Sequence, residues 1–178
     1  MNTTDTLPGR KSHKLVIIVI GVLLLLLSGS LYGYFRRHGM APAASYEKGA
    51  PTLPQRVLVA TQGSAFKDRL VSTLVAEIER RPAHVKVIDV AGLGSIDGAG
   101  WNAIVIVHTW EFGKPPRVVS DFVARLADPS RVIDITTSGS GREKLPGVDV
   151  ISSASVIDDV PGMVAQISSK IDARLAKP

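Results

Sequence analysis

Few side chains in this 178-residue sequence have the type and spacing to do chemistry, and most of them fall in three short stretches. In ATQGSAFK, the residues Thr61, Gly63 and Ser64 precede an amphipathic run. Hydroxyls and a glycine at the start of a helix offer hydrogen-bond donors to an anion, or simply cap the helix. In VHTWEFGKPP, the residues His108, Thr109, Trp110, Phe112 and Gly113 follow an apolar run. An indole on such a loop either packs or walls a crevice for a planar ligand, and Phe112 reads as packing. In ITTSGSG, the residues Thr137, Ser138 and Gly139 form either a flexible turn or a further set of donors.

Several chemistries are excluded. With no cysteine there are no disulfides, thiolate metal sites or Cys nucleophiles. His108 has only Glu111 as a carboxylate near it in sequence and no partner at metal-ligand spacing, so it reads as a structural histidine. No Ser/His/Asp arrangement, paired-carboxylate motif or Walker-type GK[ST] is present, so hydrolase and nucleotidase functions lack support. Lys67, in the first turn of its helix, reads as a solvated cation.

The elements that must position these loops are legible from hydropathy. RVLVA, HVKVIDV, NAIVIV, RVIDIT and VDVIS read as five strands. Phe66, Leu70, Leu74 and Ile78 mark one helix, Val118, Val119, Phe122, Val123 and Leu126 a second behind Pro116, and Val160, Val164, Ile167, Ile171 and Leu175 a third. Strands alternating with helices predict a parallel sheet covered on both faces. The first and third strands are apolar throughout, as central strands are, and the second and fifth alternate, as edges do. The predicted sheet therefore has five parallel strands in the order 2-1-3-4-5, with a loop or single turn between Thr137 and Val148. Ligands of such sheets bind outside the carboxyl ends of the strands, where the three loops converge.

The rest of the chain is of a different kind. Leu15 to Tyr34 runs without a charge, about the ~20 residues a membrane-spanning helix needs. Arg36, Arg37 and His38 follow where a signal peptide would carry a small-residue cleavage site, which favours a retained single-pass signal anchor. The expected organisation is a disordered tail at 1–14, an anchor at 15–35, a linker at 36–55 rich in Ala, Pro and Gly, and a domain at 56–178. Three Lys/Arg lie on each side of the span, so charge does not orient it, and the linker composition tips the reading towards the N-terminus inside. Gly29 and Gly33 form a GxxxG pair that permits close helix pairing. Of the net charge of +5, most lies beside the span: residues 1–50 hold six Lys/Arg against two Asp/Glu, and the remainder fifteen against fourteen. The near-neutral domain gives no basic face for nucleic acid.

Over roughly residues 56 to 176, and most clearly in WNAIVIVHTWEFGKPPRVVSDFV, the chain resembles the flavodoxin-like family and its flavin-dependent reductase relatives. The resemblance implies a three-layer α/β sandwich binding FMN noncovalently. Trp110 would stack on the isoalloxazine ring, with His108, Thr109 and Gly113 as further contacts. ITTSGSG resembles the family's strand-four loop near the flavin, placing Thr137, Ser138 and Gly139 there. The implied activity is electron transfer or reduction of a quinone-type substrate, with a redox protein or quinone as partner. The phosphate loop departs from the family pattern S-x-T-G-x-T: Ala60, Gln62 and Ala65 stand where hydroxyls would be, while Thr61, Gly63 and Ser64 remain. That departure keeps open a second reading, a cofactor-free flavodoxin-like module acting as a tethered binding domain.

Overall fold

The computed structural model describes residues 10–38, 41–110, 113–138 and 141–176, in two compact units, Met1–Gly39 and Met40–Pro178. The described residues of the first unit form one helix, α1 (Arg10–His38). From His13 to Gly33 its mean hydropathy is 2.7, and Leu15, Ile18, Leu25 and Leu31 are all exposed. A helix apolar on every side has no face suited to water, and this one is long and apolar enough to span a membrane.

In the second unit the strands are β1 (Tyr46–Lys48), β2 (Gln55–Thr61), β3 (Ala83–Asp89), β4 (Ala103–Thr109), β5 (Val132–Thr137) and β6 (Asp149–Ser153). They form one mixed sheet in the order β1-β3-β2-β4-β5-β6. The expectation of five strands, all parallel, in the order 2-1-3-4-5 is thus corrected in strand count and order. Tyr46–Lys48 adds antiparallel to β3, pairing Tyr46 with Val87 and Lys48 with Val85, while all other pairs are parallel. β1 lies within the stretch read as linker. Three residues among prolines and glycines carry no hydropathy period; what orders them is the unpaired edge of β3.

The sheet divides two cores. Val57 and Val59 of β2, Val105 and Val107 of β4, and Ile133 and Ile135 of β5 face α2 (Ala65–Ile78) and α4 (Val160–Leu175). Leu58, Ala60, Ile104 and Ile106 face α3 (Arg117–Ala124) and the turns after β3. β4 is buried on both faces from Ala103 to His108, which is why its sequence does not alternate. α2 begins at Ser64, whose extended backbone and side chain cap Lys67 N–H, and it ends ahead of Pro82. Between β3 and β4 the crossover is two short 3-10 turns, Val90–Ser95 and Gly98–Gly100, started by the carboxylates of Asp89 and Asp97. Leu93 and Trp101 fill the layer there, with Arg56 stacked 4.6 Å from the Trp101 ring.

β3 is not an edge strand, and its alternation has another cause: His84 is buried against Trp101, with ring centroids 6.1 Å apart.

Candidate functional site

β2, β4, β5 and β6 end together, and their last residues are hydroxylic: Thr61, Thr109, Thr137 and Ser153. Parallel register puts Thr109, Thr137 and Ser153 in one row. Side chains alternate along a strand, so this row lies on the α2/α4 face. Into it comes Lys67, which is only 1% exposed. The reading of Lys67 as a solvated cation is therefore corrected. Its position three and four residues before Leu70 and Val71 puts it in the apolar stripe of α2, the signal that would have predicted burial.

A buried ammonium must be hydrogen-bonded. Lys67 Nζ donates to Gln62 Oε1 at 3.2 Å and to Thr109 Oγ1 at 2.5 Å. Gln62 Oε1 also accepts the Thr109 N–H at 2.8 Å, so one glutamine ties the end of β2 to the end of β4. Thr109 Oγ1 lies 2.9 Å from Thr137 Oγ1, which donates to His108 O at 3.1 Å. Thr61 Oγ1 donates to Gln62 O at 3.1 Å. Gln62, counted in the sequence as a missing hydroxyl, is instead the hub of this network.

The other candidates are placed as follows. Ser64 is the α2 cap. The Gly63 N–H donates to Ala41 O at 2.7 Å. The Trp110 backbone N–H donates to Thr137 O at 2.9 Å, and its half-buried side chain leaves a buried Nε1 with no acceptor among the described residues. Gly113 has a φ of +73°, a left-handed turn open to a glycine. Ser138 donates to Glu143 and accepts the Gly141 N–H at 2.9 Å. Gly139, Glu111 and Phe112 lie outside the described residues.

His108 stands apart. One residue out of phase with Thr109, it faces the α3 side and is completely buried. Its Nε2 lies 2.9 Å from Asp134 Oδ1, and Asp134 Oδ2 accepts the Thr136 hydroxyl at 2.6 Å. A carboxylate 26 residues away in sequence is thus its partner, and the lone Asp inside the apolar run VIDIT was the sign of it. The reading of His108 as a satisfied structural histidine agrees with this geometry; as a cofactor contact it does not face the hydroxyl row.

Beside the row, an open groove of about 570 Å³ is lined by Ser153, Ala154, Met163, Asp158 and Asp159. Two aspartates at that mouth disfavour an anion. On the β3 side, burial, reinforced by the charges of Glu79 and Asp68, pushes the Tyr46 phenol up from its ordinary pKa.

Comparison with known proteins gives a likeness of fold only. No family model and no curated protein matches the chain. Among solved structures, an archaeal flavodoxin shares 10% identity at a TM-score of 0.43, over 66% of this chain and 99% of that one. General stress protein 14 of Treponema denticola, solved in complex with FMN, shares 11% at 0.42, over 68% of this chain and 99% of that one. A flavo di-iron protein variant from Thermotoga maritima shares 6% at 0.45, over 70% of this chain and 38% of that one. At such scores the reading of the site rests on this chain's own residues. In the first loop the groups that could meet an FMN phosphate are engaged within the protein: the Gly63 N–H by Ala41 O, the Thr61 hydroxyl by Gln62 O, and Ser64 Oγ by the Lys67 N–H.

Proposed function

We propose that this chain is a membrane-tethered flavodoxin-like module that works without a flavin, as a binding domain for another protein, held to the bilayer by residues 15–35. The observation that carries this reading is the hydrogen-bonded network of Lys67, Gln62, Thr109 and Thr137 at the strand ends. In a flavin site those groups would be turned towards the ligand; here they bond to one another, and opening the network would take two hydrogen-bond acceptors from a buried ammonium. Trp110, half-buried at the end of β4 with its Nε1 unbonded among the described residues, supports a contact role.

A second reading has the same indole in its favour: Trp110 stacks on FMN, with Ser64 and the first amides of α2 near the phosphate, and the protein passes electrons or reduces a quinone-type substrate, the flavin supplying the redox chemistry. Titration of the full-length protein in detergent with FMN separates the two. The flavin-free module gives no saturable quenching of flavin fluorescence up to about millimolar FMN, a free energy near −4 kcal/mol. Saturable quenching in the micromolar range, weakened roughly 5- to 150-fold by Trp110→Ala as loss of about 1–3 kcal/mol of stacking and burial requires, overturns it in favour of FMN.

A further inference from the structure

The chain leading from α1 to β2 lies against the first loop of the site. Ala41, the first described residue after α1, forms an isolated antiparallel bridge with Gly63. Two residues on, the Ala43 N–H donates to Asp89 Oδ2 at 2.7 Å, at the carboxyl end of β3, while Asp89 Oδ1 holds the Ala91 N–H. Tyr46–Lys48 then follows the edge of β3, with Glu47 2.8 Å from Lys86 and Lys48 3.5 Å from Glu79.

Two features set this segment apart from the sheet it joins. Its contacts are polar and peripheral: Pro42, Ala44, Ser45, Glu47 and Lys48 are exposed, and even Tyr46 is 37% exposed. It also packs loosely, because a half-open pocket of about 220 Å³ is lined by its Ala43, Ala44 and Tyr46 together with Thr61, Val71 and Val87. Segments with few buried apolar contacts and exposed hydrogen bonds open at the low end of a protein's local stabilities.

Gly63 is where the segment meets the site. A Cβ there would come within 2.7 Å of Ala41 O, although Gly63 does not have a left-handed φ. The glycine is thus required by the close approach of Ala41 and not by its own turn. Its neighbour is Gln62, the residue that holds both Thr109 and Lys67.

We propose that residues 41–48 are a detachable strap, and that its docking on Gly63 sets the geometry of the strand-end site. Docked, the strap pins the loop so that Gln62 reaches across to β4. Released, it frees Gly63; the Gln62 N–H stays on Val107 O at 3.2 Å, but its side chain loses its direction and its bonds to the Thr109 N–H and Lys67 open. A partner or a pull acting on the chain between helix and domain reaches the strap first and is passed to the site through a single peptide link. The proposal is independent of whether a flavin binds.

Hydrogen exchange on the full-length protein in detergent tests it. Gly63→Ala places a methyl against Ala41 O and displaces the strap. Ala43→Pro deletes the N–H given to Asp89 and touches neither Gly63 nor Gln62. In both variants the amides of Tyr46–Lys48 exchange at least about tenfold faster, the scale of one lost hydrogen bond, and the Thr109 N–H accelerates with them while Val105 and Ile106 stay protected. Lys86→Glu, which sets a like charge against Glu47, replaces either variant that does not fold. Faster strap amides with an unchanged Thr109 N–H in Ala43→Pro overturn the proposal, since the strap then has no hold on the site. Unchanged strap amides in every variant overturn it as well, since the segment is then a fixed part of the sheet.

Discussion

His108 and Asp134 face one another across β4 and β5 with no exposed surface at all, and a polar pair so placed is costly to leave half-made. Removing one member, as in His108→Leu, strands a buried carboxylate with Thr136 as its remaining partner. The expected loss is about 3–5 kcal/mol. Replacing both, as in His108→Leu with Asp134→Val, removes the stranded group and costs less than the sum of the two single changes. Denaturant unfolding of the four proteins, followed by the fluorescence of Trp101 and Trp110, measures the coupling; additive losses would show that the pair does not act as a unit. On the opposite face the Lys67 network has the same logic, but there the groups lie at the strand ends, where a conformational change can reach them. The first pair therefore reads as core and the second as site.

At the scale of elements, α4 is joined to the sheet by charge as well as by its apolar stripe. Lys170 Nζ sits 2.7 Å from both oxygens of Asp149 at the start of β6, and Arg174 adds a contact at 3.2 Å while also donating to Ser130 O and Val132 O. Burial raises the Asp149 pKa, but hydrogen bonds and charge from Lys170 and Arg174 outweigh it, so the carboxyl titrates below its ordinary range. A folded-state pKa below the unfolded value of about 3.9 makes a contribution that is fully present above that value. It is lost as pH falls through the lower, folded value. Asp149→Asn should accordingly be less stable than wild type at neutral pH, and the gap should narrow as pH drops below about 4. Thermal melts at pH 7 and pH 3 give the comparison; a gap that stays constant would show that Asp149 is not what couples α4 to acid.

For the molecule as a whole, α1 has the length and composition of a span, and the domain is close to neutral in net charge. The full-length protein is expected to remain with membranes through a high-salt wash, because apolar burial is insensitive to screening. Leu24→Arg with Leu25→Arg, each about 2.5–3.5 kcal/mol unfavourable at the centre of a span, should move it out of the membrane fraction. Retention of the double variant would place the membrane attachment elsewhere in the chain. Protease protection in sealed vesicles reads the side on which Met40–Pro178 lies, which the equal flanking charges do not determine.

What the sequence determined alone is what depends on near neighbours. An unbroken apolar run dictates α1 wherever it is put, and short apolar or alternating runs between stretches of period 3.6 mark out β2 to β6 and the three α-helices of the domain without knowledge of their partners. The convergence of the three loops followed from connectivity rules. Tertiary structure decided every feature that joins residues far apart in the chain. Ala41 meets Gly63, Tyr46 meets Val87, Arg81 meets Asp172, and His108 meets Asp134, none of which leaves a periodic trace. The unpaired edge of β3 recruits a strand from residues with no strand character of their own. Folding buries Lys67 because its neighbours on α2 are apolar, and acceptors that make that burial tolerable come from the loop after β2 and from the end of β4. A hydroxyl count along the first loop therefore could not tell whether that loop holds an anion or holds the protein's own lysine, since the groups that answer it are brought there only by the closed sheet.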